Sequence, residues 1–79
     1  MRTYQVSDKQ PSGVKVGNFV KIGYKGERFW VKVVKITRSK RSRSMDHFIG
    51  IVDNRPITPE IKYKDKLTFY RKNIFMKTD

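Results

Sequence analysis

The chain has 79 residues, 37% of them apolar, and carries 19 Lys and Arg against 7 Asp and Glu, a formal charge of +12. That length supports one small core, and the lack of cysteine excludes a disulfide frame or a thiolate metal site. His47 is the only histidine and builds no zinc site alone. No metal or cofactor is expected, and a net stability of about 3–5 kcal/mol must come from the core.

No run approaches the roughly 18–20 apolar residues that span a bilayer. The opening M-R-T-Y-Q-V-S-D-K-Q lacks the apolar centre of an export signal. The expectation is a cytoplasmic monomer with no membrane partner. The charge is about twice what solubility asks of a small domain, and it repels itself in the compact state. It points to a polyanionic partner, nucleic acid first, with an acidic surface on another protein as the alternative.

In chain order, residues 1–13 carry little pattern and close with P-S-G, so an N-terminal arm or a loosely docked segment is expected there. The domain proper is expected over 14–79. N-F-V-K-I-G-Y, 18–24, alternates Val20, Ile22 and Tyr24 against Phe19, Lys21 and Gly23, which is the period of a strand. Lys25-Gly26-Glu27 follows as a turn, because Gly26 accepts the positive φ of a tight hairpin.

R-F-W-V-K-V-V-K-I-T-R, 28–38, is rich in β-branched and aromatic residues and reads as a long strand. Phe29, Val31 and Val33 share one face; Trp30, Lys32, Val34 and Ile36 share the other. Beyond residue 33 the strand is apolar on both faces, which a bend or bulge in a small barrel explains. After the basic stretch R-S-K-R-S-R-S, H-F-I-G-I-V-D-N at 47–54 is a third strand, with Gly50 marking a bulge or a close backbone approach. R-P-I-T-P, 55–59, cannot continue it, since proline lacks the ladder donor. K-L-T-F-Y, 66–70, turns Leu67 and Phe69 inward, and N-I-F-M, 73–76, is a short last strand. At most a turn of helix is expected, near 58–64 or 70–73. Five short strands with this punctuation make an all-β fold, a five-stranded antiparallel SH3-like barrel.

V-K-V-G-N-F-V-K-I-G-Y-K-G-E-R-F-W-V-K-V-V-K-I, 14–36, resembles the opening of a KOW-type barrel at Gly17, Asn18, Val20, Ile22, Lys25 and Gly26. That resemblance implies binding to RNA, DNA or polymerase. G-E-R-F-W-V, I-V-D-N and Y-K-D-K-L-T-F-Y-R-K-N-I are together similar to an uncharacterised bacterial domain family that carries G-E-x-F-W-V. This likeness spans about residues 17–75, supports the barrel and implies no function. In that family the hairpin between the second and third strands is short and often acidic, whereas here it is the basic insertion. The lysine-rich composition resembles that of small bacteriophage proteins, which would place it in the host cytoplasm or nucleoid.

Catalysis finds no support in the residues. Asp46 and His47 are strand neighbours that point to opposite faces. Glu27, Asp53, Glu60 and Asp65 are scattered through turns, and the five glycines form no phosphate-binding fingerprint. A binding protein is expected, not an enzyme. Its main contacts are expected at Arg38, Lys40, Arg41 and Arg43 in the loop 38–45, where arginines among serines meet phosphate oxygens without reading sequence. Lys21, Trp30 and Lys32, on the outer face of the first hairpin, form a second site in which a ring contacts a base while lysines meet phosphate. The alternative for Trp30 is burial against Val34 and Ile36. Lys64 and Lys66 are peripheral cations within a group that also holds Lys62, Arg71 and Lys72. DNA, and duplex DNA in particular, is expected over RNA, with low sequence specificity.

Overall fold

Apolar residues at every second position give the strands one inward face each, and the structure closes these faces around a single core. The structure, a computed structural model, describes residues 2–78. Met1 and Asp79, the outer ends of the two expected segments, lie outside the described residues. The strands are β1 Phe19–Tyr24, β2 Glu27–Thr37, β3 His47–Val52, β4 Lys66–Tyr70 and β5 Ile74–Thr78. All pairings are antiparallel, in the order β4-β3-β2-β1-β5. This is the all-β, SH3-like barrel that the strand pattern implied. Helical structure among the described residues is limited to 3-10 turns at Arg43–Met45 and Arg71–Asn73. No helix among them is long and apolar enough to cross a membrane.

The core is the sum of the inward faces: Val20 and Ile22, then Phe29, Val31 and Val33, then Phe48 and Val52, Leu67 and Phe69, and Ile74, each at most 2% exposed. Phe48 and Phe69 stack at its centre with ring centroids 5.9 Å apart. Gly50 faces inward between these layers, and a Cβ there would lie 2.9 Å from Val31 Cγ2 and 3.1 Å from Phe69 Cε1. The close approach, not a bulge in β3 itself, is why glycine stands at this position.

The bulge lies across from it, in β2. Val33 pairs with Gly50 and Lys35 with Ile49, leaving Val34 as the extra residue. Its consequence is a change of parity: Ile36 pairs with Phe48 and packs against the core, while Lys35 comes out opposite Ile49. The apolar run on both faces of 28–38 is thus one strand whose inward face shifts by one residue.

The β1–β2 hairpin turns through Lys25 at φ 50° and Gly26 at φ 83°. Positive φ at both central residues is the primed turn that matches strand twist. The long connection from β3 to β4 is held by Glu27, whose carboxylate accepts from the Ile57 and Thr58 amides at 2.7 and 2.9 Å. Residues 2–10, where an arm or a loosely docked segment was expected, lie along the barrel. Tyr4 is buried in the core cluster, the Gln5 amide donates to Gly23 O, and the Ser7 amide donates to Lys72 O. Asn73, buried after β4, donates its side-chain amide to the carbonyls of Tyr4 and Gln5.

Candidate nucleic-acid interface

The basic loop is built on a carboxylate. Asp46 ends the 3-10 turn Arg43–Met45 just before β3, and its side chain is 3% exposed. A buried carboxylate needs partners for both oxygens, because an unpaired buried charge is costly. Oδ1 accepts from the Ser39 amide at 2.8 Å, and Oδ2 takes the Arg71 and Arg38 guanidiniums at 2.9 and 3.3 Å. The Ser39 amide does most to hold the Asp46 carboxyl below its ordinary value; burial pushes the other way, and Arg71 and Arg38 pull it down further. Ser42 accepts from the Ser44 amide and caps the 3-10 turn. Both ends of the loop are therefore fastened to the barrel.

The four expected loop cations separate into two kinds. Arg38 belongs to the clamp, although its side chain is 63% exposed. Lys40, Arg41 and Arg43 are exposed, and no acid among the described residues pairs with their side chains. Arg71, read from the sequence only as part of a distant lysine group, is the clamp's most buried cation, with a side chain 12% exposed. Its signal in the sequence was indirect: Asp46 is the lone acid beside a stretch of cations, and such an acid has to be neutralised by something.

The second group lies on the outer face of the sheet, where strand register fixes the arrangement. One row across the strands reads Thr78, Phe19, Lys32, Ile51, Lys66. The next reads Met76, Lys21, Trp30. Towards the loop lie Lys35, Ile49 and Thr68, and then Thr37, His47 and Tyr70. Lys21, Trp30, Lys32 and Lys66, all expected from the sequence, thus share one surface. Lys35 joins them because of the bulge, which simple alternation could not show.

Trp30 is half-buried on this outer face, with Lys21 Nζ 4.8 Å from its ring centre. It does not form a second small core with Ile36, which the bulge has turned inward. Lys32 Nζ stands 5.9 Å from the Phe19 ring in the same manner. Lys64 is apart from this surface: it lies in the turn before β4 at φ 75°, with its ammonium 5.2 Å from the Tyr63 ring. Lys66 and Arg71 sit at opposite ends of β4, so the cations at 62–72 divide between the face and the loop clamp.

No family model, curated protein or solved structure matches the chain. The functional reading therefore rests on the chemistry of these two surfaces.

Among the described residues, no group of three or more His, Cys, Asp and Glu is placed to hold a metal ion. A cleft of about 250 Å³ lies between the N-terminal segment and β4, lined by Tyr4, Phe69, Tyr70 and His47, with Arg2 and Lys72 among its other lining residues. It lies beside the clamp, since the 3-10 turn Arg71–Asn73 that carries Arg71 follows Tyr70 directly.

Proposed function

We propose that this protein binds nucleic acid through its phosphates, duplex DNA in preference to RNA, with little sequence specificity. The observation that carries this reading is the division of labour in the basic loop. Asp46 engages Arg38 and Arg71, and this fastening leaves Lys40, Arg41 and Arg43 exposed at a held tip. Cations on a held frame lose less freedom on meeting a phosphate than cations on a floppy arm. B-form grooves admit such a tip, whereas the deep, narrow major groove of A-form RNA does not. The tip has no recognition helix and reads backbone, not bases.

A second reading, docking on an acidic surface of another protein, is favoured by the loop 55–63. There Ile57 is 91% exposed and Arg55 lies 5.1 Å from the Tyr63 ring. An apolar protrusion among cations suits a protein partner.

Salt tests the first reading. Labelled random-sequence duplex DNA should bind with a dissociation constant of about 1–100 μM near physiological salt, with log affinity falling linearly in log salt. No binding at low salt, or binding insensitive to salt, would remove the DNA reading.

A further inference from the structure

We infer that the outer face of the sheet is a stacking platform for single-stranded nucleic acid, with Phe19 and Trp30 against successive bases and Lys21 and Lys32 on the flanking phosphates. This rests on the nucleic-acid reading above and adds the form of nucleic acid that this surface takes. The hairpin register pairs Phe19 with Lys32 and Lys21 with Trp30. The two rings therefore occupy one diagonal of a four-residue square and the two lysines occupy the other. Diagonal neighbours on a sheet are about 7 Å apart, roughly twice the 3.4 Å rise of bases stacked within one strand. Rings at that spacing meet consecutive bases only when the strand has been unstacked. A duplex keeps its base faces inside and offers this surface nothing but phosphate.

The ring faces carry lysines in the free protein, at 4.8 Å for Lys21 on Trp30 and 5.9 Å for Lys32 on Phe19. Such an exposed contact is worth about a two- to fivefold bias. A stacked base is worth roughly five- to 150-fold, so the base displaces the ammonium. The displaced ammonium is left beside the incoming phosphate. Lys35 and Lys66 extend the cationic track on either side of Ile49 and Ile51. Asp53 follows β3 at the strand end, where its amide donates to Trp30 O.

Trp30 is the chain's only tryptophan, so its emission reports contact with the platform directly. Oligothymidine of about ten nucleotides, within the site size of single-strand binders, is titrated at low salt and compared with a random duplex. The expected result is saturable quenching by the oligothymidine, with binding weakened by Phe19→Leu in the same titration and roughly five- to 150-fold by Trp30→Leu when read from the anisotropy of end-labelled oligothymidine. Leucine retains apolar cover at both positions. Phe19→Leu also keeps Trp30 as reporter, so it carries the test alone should Trp30→Leu not fold. If the duplex binds while oligothymidine leaves the emission unchanged, the platform is overturned and the nucleic-acid reading stands. Equal weakening of duplex and oligothymidine by Phe19→Leu has the same meaning. If neither ligand binds, both readings fall.

Discussion

The basic loop and the outer sheet face are both cationic, yet they handle charge in opposite ways. The loop has an internal acid: Asp46 takes two guanidiniums and one amide, so part of its charge is used to hold its own shape. Among the described residues the sheet face has no such acid between its lysines, and Lys21 and Lys32 rest on aromatic rings instead. A neutralised arginine contributes structure and little field; an ammonium on a ring remains available to an anion. Counting cations treats Arg38 and Lys40 alike, but only the second is free to act on a partner.

Five changes break or sharpen this contrast. The largest effect belongs to the floor under both regions. Phe48→Ala removes the ring that stacks on Phe69 and lies 5.2 Å from the Arg71 guanidinium. It should cost about 3–5 kcal/mol, comparable to all the stability expected at this size. Thermal or urea unfolding should find the variant largely unfolded at 25 °C; a variant that melts like the wild type would contradict the assigned core.

Next comes the division within the loop. Replacing Lys40, Arg41 and Arg43 with serine should leave the melting temperature near the wild-type value while lowering the salt slope for duplex by about 2.7, three contacts at 0.9 each. Arg71→Ser should do the reverse, lowering the melting temperature and changing the slope by less than about one contact. Exchange of the Ser39 amide should accelerate only in the second variant.

Acid separates the regions again. Asp46 and Glu27 are both held below their ordinary carboxylate values, by the Ser39 amide foremost and by the Ile57 and Thr58 amides respectively. A depressed folded value contributes stability that is present above the unfolded value and lost as pH falls through the folded one. Loop order should therefore persist to about pH 4 and fail progressively below it. Chemical shifts of Ser39 and Thr58 should move there before those of Lys21 and Lys32, and simultaneous movement would argue against a separately fastened loop. The smallest effect is expected at Asp53→Asn, which removes the charge from the residue whose amide donates to Trp30 O. It should strengthen oligothymidine binding by roughly two- to fivefold, the range of an exposed charge pair, with no change for duplex.

The strands were legible from the sequence because period-two alternation and β-branched residues act locally. So was the hairpin turn at Lys25 and Gly26. The bulge in β2 announced itself as apolar residues on both faces, although its position at Val34 did not, and that one residue decides where Ile36 and Lys35 point. The clamp was not legible: Arg71 reaches Asp46 from 25 residues away, and nothing local in either stretch specifies the pairing. Likewise, Tyr4 and Ser7 sit in a segment without pattern and are buried where β1 and the turn Arg71–Asn73 supply a surface for them. Register, too, is a tertiary property. It alone places Phe19 and Trp30 on one diagonal.

The most direct measurement pairs salt titrations of two variants on two ligands: the loop variant with Lys40, Arg41 and Arg43 as serine, and Phe19→Leu, each against duplex and oligothymidine. The expected pattern is crossed. The loop variant flattens the duplex slope by about three contacts, and Phe19→Leu weakens oligothymidine at every salt concentration without changing its slope. If both variants act alike on both ligands, the two regions are not distinct surfaces and the account is wrong.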